Sequence, residues 1–576
     1  MWCKGLGAKF IVPPVYANES NITSLFHVFS SALLKWVSRA DFTTQGVVVK
    51  RKVAHKAQVL KKQHTKMSSG EEEEAEESCH AAKGAALDGN EEPVGGGCHD
   101  KKASDKTQKR RKDGNSSTEE DDDDDEFSSD NNEGDSSADD VEDIVADGDS
   151  LLSTSNDGEP PELLYPRLRE NLERQGYHLI GSHSGVKLCR WTKAMLRGRG
   201  GCYKHTFYNI ASYQCMEMTP SLACANKCVF CWRHHTNPVG RSFRWKVDSP
   251  RKLIEGGLTG HRQMVKQMRG VPGVTPERLK EAHTVRHCAL SLVGEPIMYP
   301  EINGFVDLLH EQNISSFMVT NAQFPEQLRQ LKPVTQLYLS IDAPTPEELQ
   351  RIDRPLFEDY WERCLACVRE LRRKAQRTVF RLTLVNKYNT ANVAAYADLV
   401  RLGWPDFIEV KGVTYCGTSS TSTLTMKENV PRHTEVVEFC EALCEQLASC
   451  TEPKDKRLWF QRDIVEEQRS ADRSEDAAAL GSAAQGPYRI ACEHEHSCCV
   501  LIALRRFYFD GVWHTWIDYD KFLELARSGR QDFTAAEYAA PTPSWAVFRS
   551  EEKGFDPSQV RVRRKSGKTA VITSGC

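Results

Sequence analysis

The 576-residue sequence has no uninterrupted run of the roughly 18 apolar residues that a membrane-spanning helix requires. Its amino terminus also lacks the short apolar core and small-residue cleavage site of a secretory signal. These absences argue against a membrane protein and against export, so we expect a soluble, cytoplasmic chain, with a nuclear or organellar location as the alternative. An organellar address stays open because residues 1–66 are basic and contain only two acids, Glu19 and Asp41.

The first 158 residues lack the pattern of a nucleotide-binding domain. Residues 1–67 contain neither a glycine-rich phosphate loop nor alternating strand and helix patterns, and their role stays open. Residues 68–158 have few aromatic residues and carry acidic blocks at Glu71–Glu77 and Glu119–Glu126, with the basic block Lys101–Lys112 between them. Such a segment buries too little apolar surface to offset its ordering entropy, so we predict a disordered acidic linker.

Cysteine, in contrast, is abundant at 20 residues. A disulfide framework in a secreted protein and thiolate ligands in a reducing compartment are the two interpretations. Because no secretory signal is visible, the sequence favours metal ligation. The net charge of only -5 averages strongly charged local blocks.

From about Glu159 the pattern becomes that of a folded domain, in which strand-like runs alternate with helical stretches such as Tyr299–Gln312 and Pro346–Arg373. Strands are predicted at His287–Val293, Ser316–Val319, Gln336–Ile341, Thr378–Val385 and Phe407–Val413. This alternation predicts βαβ units and a parallel sheet. The fold class is therefore α/β, and the number of units fits a partial TIM-type (β/α)6 barrel, whose ligands bind at the carboxyl ends of its strands.

The predicted boundaries follow these changes in pattern. They give an uncertain basic segment at 1–67, a disordered charged linker at 68–158, an extension with three cysteines at 159–217, the barrel at 218–430 and a C-terminal α+β extension at 431–576. Within the last region, residues 466–486 are rich in alanine, serine and charge and are predicted to form a surface insertion.

The sharpest local feature is a loop with three cysteines within eight residues, Cys224, Cys228 and Cys231. Three thiolates can hold a 4Fe–4S cluster and leave its fourth iron open to the amino and carboxylate groups of a substrate. A zinc site would need a fourth ligand, which His234 or His235 could supply, so zinc is the local alternative.

A second set of cysteines lies upstream, with twelve residues between successive members: Cys189, Cys202 and Cys215. Equal spacing is not a ligand rule, and buried structural cysteines remain an alternative. Three cysteines just before a cluster loop nevertheless suggest a second three-thiolate cluster.

Polar residues also follow three consecutive predicted strands, as a ligand-facing barrel rim should show. They are Glu295 in the run Gly294-Glu295-Pro296, Asn321, and the pair Ser340 and Asp342. Ordinary loop caps are the alternative for each one taken separately.

These motifs resemble the radical S-adenosylmethionine superfamily, and from about Tyr165 to Cys576 the chain resembles the tRNA 4-demethylwyosine synthases of wybutosine biosynthesis. The strings that carry the resemblance lie at 181–185, 196–205, 219–238, 409–416 and 491–496. The resemblance implies a first 4Fe–4S cluster on Cys224, Cys228 and Cys231, and a second on Cys189, Cys202 and Cys215. It further implies contacts with S-adenosylmethionine from Phe230, Gly294, Glu295, Pro296, Asn321, Ser340 and Asp342.

The implied substrates are pyruvate and the N1-methylguanosine 3′ of the anticodon of tRNA-Phe. A 5′-deoxyadenosyl radical would take hydrogen from the N1-methyl group, and the methylene radical would add to C2 of pyruvate, whose carboxyl carbon leaves. Lys204 is implied to form a Schiff base with pyruvate, and we expect Arg197, Arg199 and partial burial to depress its pKa. The alternatives are that this lysine contacts phosphate and that pyruvate binds at the open iron of the second cluster instead.

The resemblance has one departure, because eukaryotic members usually carry a flavodoxin-like FMN domain that residues 1–158 do not suggest. We therefore expect no FMN on this chain, an external electron donor of the flavodoxin or reductase type, and a monomer. Cations interleaved with aromatic residues over 190–246 suit a single-stranded tRNA loop. Another radical enzyme acting on RNA and an electron-transfer Fe–S module are the alternatives.

Overall fold

The computed structural model describes residues 159–231, 238–417, 424–453, 486–530 and 532–559. The predictions for residues 1–158, for nearly all of the insertion and for His234 and His235 therefore fall outside the described residues. Within the described ranges, no helix combines the length and apolarity needed to cross a membrane.

Fourteen strands and thirteen α-helices build the described part of the chain. The strands are β1 His178–Ile180, β2 Ser184–Lys187, β3 Cys215–Thr219, β4 His287–Leu290, β5 Ser315–Thr320, β6 Gln336–Ser340, β7 Arg377–Leu384, β8 Phe407–Gly412, β9 Tyr488–His494, β10 Cys499–Leu504, β11 Tyr508–Phe509, β12 Val512–Trp513, β13 Trp516–Ile517 and β14 Ala539–Ala540. The helices are α1 Pro166–Arg174, α2 Arg190–Leu196, α3 Tyr203–Tyr208, α4 Pro250–Lys266, α5 Pro276–Ala282, α6 Ile302–Glu311, α7 Pro325–Gln330, α8 Pro346–Ile352, α9 Tyr360–Arg372, α10 Val393–Gly403, α11 Met426–Asn429, α12 His433–Gln446 and α13 Tyr519–Arg527.

Ten strands form one sheet in the order β1-β2-β3-β4-β5-β6-β7-β8-β10-β9. Its six central strands, β3 to β8, are all parallel, as a (β/α)6 partial barrel requires. Antiparallel pairs extend both edges, with β2 on β3 and β10 on β8. The predicted α/β fold is confirmed, and each of the five predicted strands is present.

The sequence prediction differed from the structure at two places that matter for the site. Strand β3 was missed, because its sequence Cys-Met-Glu-Met-Thr lacks the β-branched and aromatic run that marks a strand. The helix predicted over Pro346–Arg373 is broken into α8 and α9, since Pro355 cannot continue a helix and Arg354 takes a left-handed backbone with φ 46°.

Buried charge and aromatic rings fill one end of the barrel. The guanidinium of Arg377, at the start of β7, is fully buried and donates from Nε to Gln336 Oε1 at 3.0 Å. It also donates to the backbone oxygen of Thr515 at 2.7 Å and lies 4.4 Å from the ring of Phe407. Each donor that would otherwise be desolvated without a partner therefore finds one, as a buried cation requires.

Buried histidines make the stability of this fold depend on pH. Burial lowers the pKa of His287 to about 3 and that of His261 and His310 to about 4. The unfolded chain binds protons at these groups at a pKa of about 6.5, so stability is present above that pH and is lost as the pH falls toward 4.

We therefore expect urea midpoints to fall between pH 6.5 and pH 4.5. Neither ring nitrogen of His261 has a hydrogen-bond partner among the described residues. His261→Met should accordingly reduce the slope of the unfolding free energy near pH 5 by about 1 kcal/mol per pH unit. Equal slopes for His261→Met and wild type would contradict this assignment.

Candidate active site

The loop that carries Cys224, Cys228 and Cys231 is fastened by backbone hydrogen bonds to the break after α8. Lys227 N donates to Asp353 O at 2.9 Å, and Val229 N donates to Ile352 O at 2.8 Å. Residues 225–229 thus pair with residues 352–356, the segment that the sequence prediction had placed inside one long helix. The break is what lets an irregular loop satisfy its backbone groups.

The Cys224 sulfur receives two N–H groups, which is the environment of a metal-bound thiolate. Asn226 N and Asn321 Nδ2 both lie 3.5 Å from Cys224 Sγ. Burial raises the pKa of the Cys228 thiol well above its usual range, so deprotonating it inside the protein requires a cation such as iron. The donor set therefore fits the cluster that the sequence predicts.

Neither cysteine set is gathered around a single point. Among the residues that the structure describes, no three His, Cys, Asp or Glu side chains are close enough to hold one metal ion. A cubane cluster makes a different demand, because each thiolate binds a different iron. Every cysteine in these ranges is also a free thiol.

The Gly294-Glu295 turn holds the chain just before Cys224. A Cβ on Gly294, where φ is 75°, would lie 2.0 Å from the backbone oxygen of Ser221, so only glycine fits this approach. Glu295 N donates to Ala223 O at 2.7 Å, and Glu295 Oε2 accepts the backbone N–H of Asn321 at 2.8 Å. Two of the predicted rim residues are therefore in direct contact with one another.

The remaining predicted rim residues surround the same loop to different extents. Burial raises the pKa of Asp342 to about 6, and its Oδ1 accepts the backbone N–H of Thr383 at 3.1 Å. Ser340 ends β6 beside Arg381 of β7, whereas Pro296 is buried in a short 3-10 turn. Phe230 is half-buried against the main core.

Asp353 was not singled out from the sequence, although it lies at the cluster loop. Burial, followed by the charge of Asp342, raises the pKa of its carboxyl well above the usual range. A hydrogen bond with the Cys228 thiol opposes that rise. No sequence motif marks Asp353, because only the backbone pairing described above places it here.

The upstream cysteines occupy three element boundaries. Cys189 is the N-cap of α2, Cys202 is the N-cap of α3, and Cys215 begins β3. Cys189 Sγ accepts the backbone N–H of Thr192 at 3.4 Å, and the Ser212 hydroxyl donates to Cys202 Sγ at 3.5 Å. Burial, together with the charges of Glu217 and Cys202, raises the pKa of Cys189 to about 12.

Lys204 lies inside this group of cysteines. Its Nζ is 3.5 Å from Glu217 Oε1, and the side chain is only 11% exposed. Burial lowers the pKa of Lys204, but the negative charges of Cys215, Glu217 and Cys202 outweigh it, so the pKa lies well above its usual range.

The prediction of a depressed pKa for Lys204 is therefore wrong in its net direction, although burial acts as predicted. Neither Arg197 nor Arg199 is among the groups that act on this pKa most. The sequence prediction missed Glu217, which lies two positions after Cys215. Strand β3 would have indicated it, because side chains alternate along a strand and residues two apart lie on the same face.

The fold buries some members of the predicted run of cations and aromatic residues and leaves others exposed or half-buried. Tyr203 and Trp245 belong to the core. Trp191 is only half-buried, with the Arg190 guanidinium 4.9 Å from its ring and the rings of His496 and His494 at 5.3 Å and 6.0 Å. Arg190 and Trp191 therefore remain a candidate surface for a nucleic acid.

Comparison with known proteins assigns two segments of the chain to families. Residues 218–400 match the radical SAM superfamily, and residues 402–454 match the wyosine base formation family. The S-adenosyl-L-methionine-dependent tRNA 4-demethylwyosine synthase TYW1 of Xenopus laevis is 57% identical over 423 residues, which are 73% of this chain and 52% of that protein. The human TYW1 protein is 55% identical, over 74% of this chain and 53% of its own length.

The chain thus spans about half the length of the curated relatives that it matches. A solved structure described as TYW1 with a lysine-pyruvate adduct bound is 25% identical, with a TM-score of 0.48, and covers 60% of this chain and 97% of its own. By sequence, this chain contains a radical SAM domain over residues 218–400 that is followed by a wyosine-base-formation segment over residues 402–454, and it is similar to the synthases named above.

Proposed function

We propose that this chain condenses N1-methylguanosine, 3′ of the anticodon of tRNA-Phe, with pyruvate to form 4-demethylwyosine. Identity of 55–57% to synthases of this name supports the proposal. The observation that carries it is the place of Lys204, whose amine is buried beside Glu217 between Cys202 and Cys215. A methylthiotransferase or an electron-transfer module has no use for a lysine there.

In this proposal Cys224, Cys228 and Cys231 hold a 4Fe–4S cluster, and Cys189, Cys202 and Cys215 hold a second one. A reduced cluster held by Cys224, Cys228 and Cys231 would supply the electron that cleaves S-adenosylmethionine. Asn321 and Asn226 donate hydrogen bonds to the Cys224 sulfur. Glu295, Ser340, Asp342 and Phe230 would surround S-adenosylmethionine, whose adenosyl and methionine parts need both polar and apolar contacts.

Lys204 would bind pyruvate as an imine, for which its amine must be neutral. Its ammonium form is favoured in the resting site, because the neighbouring charges raise its pKa. Glu217 Oε1, at 3.5 Å from Nζ, is placed to take the proton when pyruvate arrives. The water released by imine formation must leave a buried site, which limits the reverse reaction.

The tRNA would approach through exposed cations and half-buried rings. Arg190 and Trp191 offer a guanidinium and a stacking surface on one helix, α2. Aromatic stacking with phosphate contacts suits a single-stranded loop, and the target base must leave its stack to reach the barrel. We propose that the chain works as a monomer.

Electrons would come from a separate protein of the flavodoxin or reductase type. We expect the purified 576-residue chain to show no flavin absorbance and to turn over only with dithionite or an added flavodoxin system. Stoichiometric FMN bound to this chain would contradict the prediction.

The direct test of the reaction is mass spectrometry of tRNA-Phe that carries N1-methylguanosine. The tRNA is incubated anaerobically with reconstituted enzyme, S-adenosylmethionine, pyruvate and reductant. We expect a nucleoside with the mass of 4-demethylwyosine. When the pyruvate is uniformly labelled, two of the three pyruvate carbons should appear in that nucleoside. A methylated or thiomethylated base instead would favour another radical enzyme.

A further inference from the structure

Arg381 of β7 is a cation in the interior of the barrel that the proposed function does not use. It lies directly opposite Glu409 of β8 in the strand register, with Arg381 Nε 3.6 Å from Glu409 Oε1. That distance is too long for a hydrogen bond. Neither Arg381 Nε nor Glu409 Oε1 has a hydrogen-bond partner among the described residues. The guanidinium is thus electrically balanced but not saturated as a donor.

Glu409 links Arg381 to the helix that carries Lys204. The Tyr208 hydroxyl of α3 donates to Glu409 Oε2 at 3.0 Å. Lys204 and Tyr208 are four residues apart on α3, so both side chains lie on the same face of that helix. Arg377 lies four residues before Arg381 on the same face of β7. Its guanidinium is 5.9 Å from the Tyr208 ring.

Electrostatics places both cations in one compartment. Burial raises the pKa of Tyr203 well above its usual range, and the charges of Arg381 and Lys204 both oppose that rise. The same two cations act on the carboxyl of Glu409, whose pKa is raised by burial. Arg381 and Lys204 therefore act on the same two buried groups, Tyr203 and Glu409, and 24% of the Arg381 side chain is exposed.

We propose that Arg381 binds the carboxylate group of the 2-oxo acid substrate while Lys204 meets its carbonyl carbon. A planar guanidinium whose Nε–H has no hydrogen-bond partner among the described residues can meet a carboxylate in a two-point contact, which a lysine cannot reproduce. This inference rests on the proposed function, since it names the group that orients pyruvate in that reaction. Arg381 would also select 2-oxo acids over neutral carbonyl compounds.

The test uses borohydride trapping of pyruvate on the reconstituted protein without S-adenosylmethionine or tRNA. For Arg381→Gln we expect the half-saturating pyruvate concentration to rise at least tenfold, and for Arg381→Lys to rise less. Trapping of pyruvamide, the neutral amide, should change less than twofold in both variants. Arg251→Gln, which removes a cation with a 71% exposed side chain on α4, should match wild type.

Four outcomes decide the matter. Wild-type trapping with unchanged pyruvate dependence in both Arg381 variants would overturn the role of Arg381 and leave the proposed function standing. Weaker equilibrium binding of S-adenosylmethionine with unchanged pyruvate trapping would assign Arg381 to the methionine carboxylate and also overturn it. No trapping on wild type at any concentration would remove the imine itself. A larger effect on the trapping of pyruvate than on the trapping of pyruvamide supports the proposal. If Arg381→Gln fails to fold, two other variants measure the same ratio of the two effects: Arg381→Lys, and the charge-neutral pair Arg381→Gln with Glu409→Gln.

Discussion

Lys204→Arg should abolish formation of the tricyclic base, with product falling at least a thousandfold, while S-adenosylmethionine is still cleaved slowly. A guanidinium keeps the positive charge and the partner Glu217, which lies 3.5 Å from the native amine, but it cannot form an imine with a ketone. Two measurements check this result: mass spectrometry of the tRNA, and borohydride trapping of labelled pyruvate on the wild type but not on the variant.

The control is Lys332→Arg, the same exchange at an exposed lysine whose partner is Asp307. It should leave product formation, trapping and tRNA affinity unchanged. If Lys204→Arg forms product at a near-normal rate, Lys204 is a phosphate contact, and the open iron of the upstream cluster becomes the candidate for activating the pyruvate carbonyl.

Replacing Cys224, Cys228 and Cys231 by alanine should reduce bound iron from about eight to about four per chain and abolish S-adenosylmethionine cleavage. The three thiols share one loop, and the raised pKa of Cys228 in its buried setting means that without iron this loop carries protonated sulfur. Iron quantitation after anaerobic reconstitution, together with a 5′-deoxyadenosine assay, measures both effects.

The matched variant removes Cys189, Cys202 and Cys215 instead. It should also retain about four irons, yet it should still produce 5′-deoxyadenosine and fail to make the tricyclic base. A wild-type chain that binds only four irons, with the upstream triple variant unchanged in iron content, would disprove the two-cluster proposal and return these cysteines to a structural role.

The sequence alone determined the barrel, because its strands carry strong local patterns. The stretches from His287 to Phe407 alternate apolar strand with amphipathic helix, and that alternation leaves a parallel sheet as the simple solution. The candidate cluster loop is equally visible in the sequence, since three cysteines within eight residues mark a possible ligand set without tertiary context. The strand ends mark a candidate site too, because ligands bind at the carboxyl ends of the strands in barrels of this type.

Only the tertiary structure decided which charged side chains lie close together. Glu217 and Lys204 are thirteen residues apart, and only the pairing of β3 with its neighbours brings the carboxylate within 3.5 Å of the amine. That contact and the surrounding thiols reverse the expected direction of the Lys204 pKa, because Coulomb interactions depend on distance in space and not on separation along the chain.

The same reason explains Asp353 and Arg381, which carry no motif. Asp353 reaches Cys228 because a proline breaks a helix and the broken segment pairs with the cluster loop. Arg381 faces Glu409 because β7 and β8 are aligned residue by residue. The sequence thus indicates the candidate ligands and most of the strands, whereas the register of the sheet and the position of α3 decide which of the buried polar groups lie close together.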